Sequence, residues 1–113
     1  IVLKSAGNQM RSYNYVGDCA SALLTVLING VPGEAYNLAN PESRLTIAQL
    51  AEQIASAGGQ RVIFEDPSSG DIANQSPIAK QVLNTQKIEK LGWIPTFSIK
   101  EGVFHTLSII KTM

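Results

Sequence analysis

The segment Arg11–Asp18 and the apolar run behind it limit the possible folds of this chain more than any other feature. Arg11, Tyr13 and Tyr15 recur at every second position, and this alternation of strand-favouring aromatic residues predicts an extended strand. A valine and a glycine end the strand. Asp18 then stands directly before the apolar run, so we expect it to be the N-cap of a helix. The segment therefore predicts a strand, a tight joint and a helix.

The predicted helix is apolar on almost every side. Ser21, Thr25 and Asn29 recur every four positions and form one narrow polar stripe, while most other positions are Ala, Leu, Val or Ile. We expect it to end at Asn29-Gly30 with a left-handed glycine. A helix of this composition is normally buried. Part of its surface should therefore pack against a partner that lies outside these residues.

The composition bounds the class of protein. The chain has 113 residues, nine basic and nine acidic, and is 44% hydrophobic. This is the profile of one domain or part of one, and the zero net charge argues against a nucleic-acid or membrane-surface partner. No apolar run approaches the ~20 residues that span a bilayer, and a single cysteine, Cys19, gives no disulfide or cysteine-built metal site. We expect a cytoplasmic protein and, because Ile1-Val-Leu3 begins in mid-pattern without a methionine, a piece of a larger one.

The middle of the chain alternates short strands with a helix. We expect strands at 34–38 and 61–64, and a helix that starts at Thr46, where Gln49 completes a capping box, and stops at Gly58-Gly59. Residues 65–77, rich in Pro, Ser, Gly, Asp and Asn, are expected to form a long loop.

The C-terminal third predicts two more helices. A possible short strand at 81–83 comes first, and Thr85 then caps a brief helix that ends at Leu91-Gly92. Ser98 and Glu101 form a second capping box before the last helix. We expect the segment before the last helix to be anchored on the core by Trp93, Ile94 and Phe97. One face of the last helix should be buried through four apolar residues, Ile99, Val103, Leu107 and Ile110. His105 falls on the opposite face, where we expect it to be solvated.

Several motifs, taken in order, resemble one family. The strand and joint read R-S-Y-N-Y-V-G-D, the helix is followed by G-E-A-Y-N-L-A, and residues 84–95 read N-T-Q-K-I-E-K-L-G-W-I-P. This order is similar to the C-terminal part of the extended short-chain dehydrogenases/reductases, within the NAD-dependent nucleotide-sugar epimerase/dehydratase group. The resemblance runs over nearly the whole chain and implies an α/β fold. Residues 1–113 would form the C-terminal substrate-binding lobe without most of the Rossmann domain, and the strand at 36–38 would belong to the sheet of that missing domain.

The catalytic parts of the resembled enzymes are missing from these residues. Such enzymes use a glycine-rich turn for the NAD pyrophosphate and a Tyr-x-x-x-Lys pair, in which the ammonium lowers the phenol pKa. The residues four positions after Tyr13, Tyr15 and Tyr36 are Gly, Cys and Asn. Gly30-x-x-Gly33 supplies only part of the dinucleotide fingerprint and follows a helix. We expect NAD or NADP to bind the intact protein, and this chain alone to bind no cofactor or metal and to catalyse nothing.

What remains is a binding lobe for a nucleotide-diphosphate sugar. The resemblance points to Arg11 and Lys80 for the diphosphate, with Tyr13 beside Arg11 on the strand. A lysine replaces the arginine usual at position 80 and offers a point charge instead of a bidentate fork. Asp71 could accept a hydrogen bond from a sugar hydroxyl.

Two other readings of the sequence stay open. The first is a non-catalytic regulatory or binding protein on the same fold, and the second is an interaction domain without a small ligand. We also expect the isolated chain to self-associate, because its first helix would expose apolar surface without the Rossmann domain.

Overall fold

The computed structural model describes residues 1–113 and has an α/β architecture of short strands and five helices. The strands are β1 (Val2–Leu3), β2 (Met10–Ser12), β3 (Arg44–Thr46), β4 (Ile63–Phe64) and β5 (Lys80–Gln81). The helices are α1 (Val16–Asn29), α2 (Ile47–Ala57), α3 (Ser69–Asn74), α4 (Gln86–Glu89) and α5 (Ile99–Thr112). None of the helices has the length and apolar character needed to cross a membrane.

The strands form two small sheets. β2 is the centre of a three-stranded sheet, with β3 antiparallel on one side and β5 parallel on the other. β1 and β4 pair in parallel, which confirms the second half of the strand expected at 61–64. The strand expected at 81–83 is shifted to Lys80–Gln81. Residues 34–38 pair with no strand of this chain. Because a strand needs a neighbour to accept its hydrogen bonds, the strand expected there, as part of the sheet of the missing domain, stays a prediction.

The joint between β2 and α1 differs from the expected one. The helix begins at Val16 with Tyr15 as its N-cap, so the expected N-cap role of Asp18 is wrong. Asp18 lies in the first turn, only 2% exposed, and its carboxylate accepts hydrogen bonds from the backbone N–H groups of Thr96 and Phe97, both at 2.9 Å. These donors are nearly eighty residues away, so a local pattern did not reveal them. The C-terminal end of α1 also differs from the expected one, because Gly30 has φ −71° and is not left-handed.

One face of α1 carries the core. Ala22 packs with the buried residues Ile88 and Trp93, and half-buried Val26, Tyr36 and Leu38 surround them. The indole N–H of Trp93 donates to Ser21 Oγ at 3.0 Å. The expected anchoring by Trp93 is confirmed, whereas Ile94 is 79% exposed and anchors nothing.

The capping boxes of α2 and α5 are confirmed. Thr46 and Gln49 exchange side-chain and backbone hydrogen bonds, and so do Ser98 and Glu101. The two helices pack against each other. Ile99, Val103 and Leu107 are half-buried as expected, but Ile110 is 60% exposed. It lies beyond the residues of α5 that face α2.

The overall shape is open. The accessible surface is 7680 Å², against roughly 6,000 Å² for a compact protein of this mass. The radius of gyration is 16.4 Å, against about 13 Å for a compact chain of this length. The outer side of α1 contributes much of the surplus, through exposed Leu23, Leu24, Leu27 and Ile28. The apolar surface expected on this helix is therefore present and uncovered within these residues.

Candidate binding site

Arg11 lies on the central strand, and its guanidinium is already in contact with the chain. Nη1 donates to Met10 O at 2.8 Å and Nη2 donates to Ile78 O at 2.9 Å. Longer contacts join Nη2 to Gln9 Oε1 at 3.4 Å and to Ser76 Oγ at 3.5 Å. Arg11 has no carboxylate partner. Its positive charge is therefore held in place by neutral acceptors and is not neutralised.

The structure separates the two cations that the sequence assigned to one diphosphate. In the parallel pair of β2 and β5, Met10 is level with Lys80 and Arg11 is level with Gln81. Successive residues of a strand face opposite sides of the sheet. Arg11 and Lys80 therefore lie on opposite faces, and Lys80 is exposed at the sheet edge.

Tyr13 lies two residues after Arg11, directly beyond the end of β2, and is half-buried. Desolvation raises the pKa of its phenol, and the positive charge of Arg11 opposes this rise. The phenol is therefore neutral at physiological pH, suited to packing and to hydrogen bonding. The structure brings Arg11 and Tyr13 together.

A cavity of about 370 Å³ opens beside Tyr13. Its walls are apolar residues of α2 and α5, among them Leu50, Ile54, Val103 and Leu107, and Asn14 and Ser43 are its polar neighbours. Asn14 Oδ1 is buried there without a hydrogen-bond partner. Cys19, half-buried, accepts a hydrogen bond from Asn14 Nδ2 at 3.2 Å.

An aromatic cluster fixes α5 against the end of the central strand. The hydroxyl of Tyr15 bonds to Nδ1 of His105 at 2.5 Å, and the rings of Phe97 and His105 stack with centroids 5.9 Å apart. A Cβ on Gly102 would lie 3.0 Å from the Tyr15 ring, so the glycine permits this close approach. His105 is exposed, as expected, but it also has this hydrogen-bond partner. Its partner is ninety residues away, and no short-range signal identifies it.

Asp71 lies on a helix and not in a loop. Ser68 and Asp71 form a third capping box, at the start of α3. The carboxylate accepts from Ser68 N at 3.0 Å and from Ser68 Oγ at 2.6 Å, and Lys4 Nζ lies 3.7 Å away. The hydrogen bonds from Ser68 lower the pKa of Asp71, and Lys4 adds to this. The pattern Ser-x-x-Asp is a known helix-start signal, so this helix was detectable in the sequence.

Lys87 has a structural role. Its ammonium pairs with Glu34, donates to Ala35 O at 2.9 Å and lies 5.0 Å from the centre of the Tyr36 ring. Its hydrogen bond lowers the pKa of Glu34. These contacts hold the chain after α1 against α4, away from Arg11.

Gly30 and Gly33 do not form the phosphate-binding turn of a dinucleotide site. Gly30 and Gly33 lie in the turn after α1, and the next helix begins only at Ile47. A pyrophosphate cradle requires backbone N–H groups at the start of a helix that follows the glycines. No group of three or more His, Cys, Asp or Glu side chains is placed to hold a metal ion.

Comparison with known proteins gives a consistent set of relatives. No family model matches the chain. It is 31% identical to human dTDP-D-glucose 4,6-dehydratase, over 93% of this chain and 31% of the relative. It is 29% identical to UDP-glucuronic acid decarboxylase 1 of Xenopus tropicalis, over 98% of this chain and 25% of the relative. The chain thus spans about a third or less of the length of these curated relatives.

Solved structures agree with the curated relatives. The UDP-glucose 4-epimerase of Thermotoga maritima, determined with UDP-glucose, matches with a TM-score of 0.80 and 25% identity, over 99% of this chain and 35% of the other. The dTDP-glucose 4,6-dehydratase of Bacillus anthracis, in complex with NAD, matches with a TM-score of 0.79 and 22% identity, over 98% and 34%. The family and fold predicted from the sequence are confirmed. The chain has the fold of the C-terminal part of an extended short-chain dehydrogenase/reductase of the epimerase/dehydratase type.

Proposed function

We propose that this part of an extended short-chain dehydrogenase/reductase binds the nucleotide-diphosphate sugar of an NAD(P)-dependent epimerase, dehydratase or decarboxylase. The observation that carries the proposal is the position of Arg11, an arginine without a carboxylate partner on the central strand, beside the neutral phenol of Tyr13. An arginine presents two parallel donors to a diphosphate, and a tyrosine adds a flat apolar surface with one hydroxyl.

Each candidate residue has its own role in this proposal. Arg11 contacts the diphosphate, and Tyr13 packs against the ligand next to it. Lys80 acts from the opposite face of the sheet, as an exposed cation whose field attracts the ligand without direct contact. Asp71 accepts a sugar hydroxyl through Oδ1, because its hydrogen bonds from Ser68 occupy Oδ2.

The chemistry itself is assigned to residues outside this chain. NAD or NADP would be held by a dinucleotide-binding half, and would take a hydride from the sugar and return it. Among the residues described here, the proposal leaves only binding and orientation of the substrate. We further propose that the outer side of α1 packs against that half and that the intact protein is cytoplasmic.

Calorimetric titration of the intact protein with a panel of nucleotide-diphosphate sugars tests the binding proposal. A charge-assisted bidentate contact contributes roughly 1.5–3 kcal/mol, so Arg11→Ala should weaken the tightest binder about tenfold to a hundredfold. Arg11→Lys should recover part of this loss, because the charge remains without the fork. Arg61→Ala, at an exposed arginine outside the site, is the matched control.

The melting temperature of the same variants separates binding from structure. Weakened substrate binding with an unchanged melting temperature and unchanged NAD affinity supports the proposal. Normal substrate affinity with a collapsed melting temperature would make Arg11 a structural residue and would contradict the proposal. For this chain alone, titration with millimolar NAD should give only the heat of dilution. A one-site NAD isotherm would place the cofactor site within these residues.

A further inference from the structure

The segment Glu65–Ala79, which we call the strap, lies on the surface and is weakly attached. It contains α3, and none of its residues is buried. Its two isoleucines, Ile72 and Ile78, are 58% and 47% exposed. Segments without buried apolar side chains open at low free-energy cost. Whatever holds the strap in place is therefore polar.

At its start the strap is held to β1, where Glu65 N donates to Leu3 O at 2.8 Å. The polar attachments at its other end, residues 76–79, converge on one short stretch before and within β2. Gln9 Nε2 donates to Ser76 O at 2.6 Å, Met10 N donates to Ala79 O at 2.8 Å, and Arg11 Nη2 donates to Ile78 O at 2.9 Å. The exposed pair of Lys4 and Asp71 adds a weaker contact at 3.7 Å. Arg11 is the one side chain in this stretch with a permanent charge.

The strap and a bidentate diphosphate would need the same N–H donors of Arg11. A guanidinium offers two edges with paired donors, Nε with Nη2 and Nη1 with Nη2, so both edges include Nη2. Nη2 already faces three acceptors: Ile78 O, Ser76 Oγ and Gln9 Oε1. Nη2 carries two hydrogens, and a bidentate anion on either edge uses one of them. Only one hydrogen then remains for these three acceptors, so the anion competes with the strap for Nη2.

We propose that the strap is an internal competitor for Arg11, so that an anionic ligand must detach residues 76–79 before the guanidinium can bind it with two donors. This inference rests on the proposed binding of a diphosphate by Arg11. The strap then lowers ligand affinity in the resting state, and ligand binding frees the strap to move. Weakening the strap without changing Arg11 should strengthen anion binding.

Amide hydrogen exchange on this chain, with and without inorganic pyrophosphate, tests the detachment. The Met10 amide reports directly, because it donates to Ala79 O in the strap. The Tyr13 amide is the internal control on the same stretch of chain, because it donates to Ser43 O on the other side. Loss of one hydrogen bond should raise the exchange rate of an amide about two- to tenfold. At saturating pyrophosphate the Met10 amide should therefore exchange faster by that factor, while the exchange rate of the Tyr13 amide should not change.

Three variants test the competition. Gln9→Ala removes a side-chain contact to the strap and should bind pyrophosphate about two- to tenfold more tightly. Gln60→Ala, at an exposed glutamine elsewhere, should not change the affinity. Arg11→Ala should lose most of the binding.

The outcomes separate this inference from the proposed function. If Arg11→Ala binds pyrophosphate normally, or no variant binds it, both the proposed function and the competition fail. If Arg11→Ala weakens binding while Gln9→Ala has no effect and the Met10 amide exchanges no faster, the competition alone is overturned. Faster Met10 exchange together with tighter binding by Gln9→Ala is the result expected here.

Discussion

Helices α1 and α2 have similar lengths but opposite relations to their surroundings. α2 buries Ala51 and Ala55 and turns Gln49 and Glu52 to solvent. α1 buries Asp18 and Ala22, yet four large apolar side chains, Leu23, Leu24, Leu27 and Ile28, are each more than half exposed. The amphipathic pattern of α2 is satisfied within this chain. In α1, the apolar side chains of only one side are covered within this chain.

The two sides of α1 have different surroundings. Its inner side holds the core of this chain, through Ala22 and Val26 against Ile88 and Trp93. Its outer side is a contiguous apolar surface of the kind that marks an interaction site. Because the relatives are about three times as long as this chain, a dinucleotide-binding half is the partner we propose for it.

The largest expected loss of folding stability follows from a substitution in the core on the inner side of α1. Ile88 is fully buried against this helix, and truncating such a residue to alanine costs about 2–5 kcal/mol through lost contacts and a cavity. Chemical denaturation of Ile88→Ala should show this loss. Ile94→Ala, at a residue 79% exposed, should change the free energy of unfolding by less than about 0.5 kcal/mol. Equal effects would contradict the placement of the core.

The buried carboxylate of α1 should come next. Asp18→Asn replaces one acceptor of the Thr96 and Phe97 amides by an NH₂ group, which cannot accept. A buried donor without a partner costs about 1–3 kcal/mol. Asp66→Asn, at an exposed carboxylate, is the control in the same denaturation experiment. If both variants unfold alike, Asp18 does not join α1 to the segment before α5.

A smaller and pH-dependent effect should distinguish the capping box of α5 from that of α2. Hydrogen bonds from Ser98 lower the pKa of Glu101 from its ordinary value of 4.5. The stabilisation by Glu101 is therefore complete above that value and is lost as the pH falls through the lowered pKa. Gln49, at the same position in α2, does not titrate.

Thermal unfolding between about pH 6 and pH 3 tests this difference. The gap in melting temperature between the unmodified chain and Glu101→Gln should shrink on acidification. Gln49→Glu should add a second pH-dependent contribution, because it places a titrating carboxylate in the capping box of α2 as well. A gap that stays constant with pH would show that the Glu101 carboxylate does not stabilise the helix in its charged form.

The sequence was informative where structure depends on near neighbours. The capping boxes of α2 and α5 and the stop at Gly58-Gly59 involve residues within one turn of each other, and they are confirmed. The helix α3 carries the same kind of signal, Ser68 with Asp71, within a segment whose Pro, Ser, Gly and Asn content predicts a loop.

The errors concern contacts between distant residues. Asp18 was assigned to the wrong position because its amide donors, Thr96 and Phe97, are about eighty residues away. The sequence correctly places His105 in solvent but does not reveal its bond to Tyr15, which is ninety residues away. The site depends on a register that alternation alone does not give. It is the pairing of Met10 with Lys80 that places Arg11 and Lys80 on opposite faces.

The smallest effect on folding should come from the outer side of α1. Leu27 and Ile28 are 79% and 76% exposed, so replacing both by serine should change the free energy of unfolding of this chain by less than about 1 kcal/mol in total. The same replacement should reduce self-association. Glu52→Ser together with Ser56→Ala, on the exposed side of α2, is the control and should leave self-association unchanged.

Sedimentation velocity over a range of concentrations, combined with binding of a hydrophobic dye, tests the uncovered side of α1 most directly. We expect the unmodified chain to sediment faster as its concentration rises and to bind the dye, because α1 leaves its leucines and isoleucine in water. The double serine variant at Leu27 and Ile28 should lose both properties. A strictly monomeric, dye-negative chain would contradict the account, since it would mean that the outer side of α1 is not an interface.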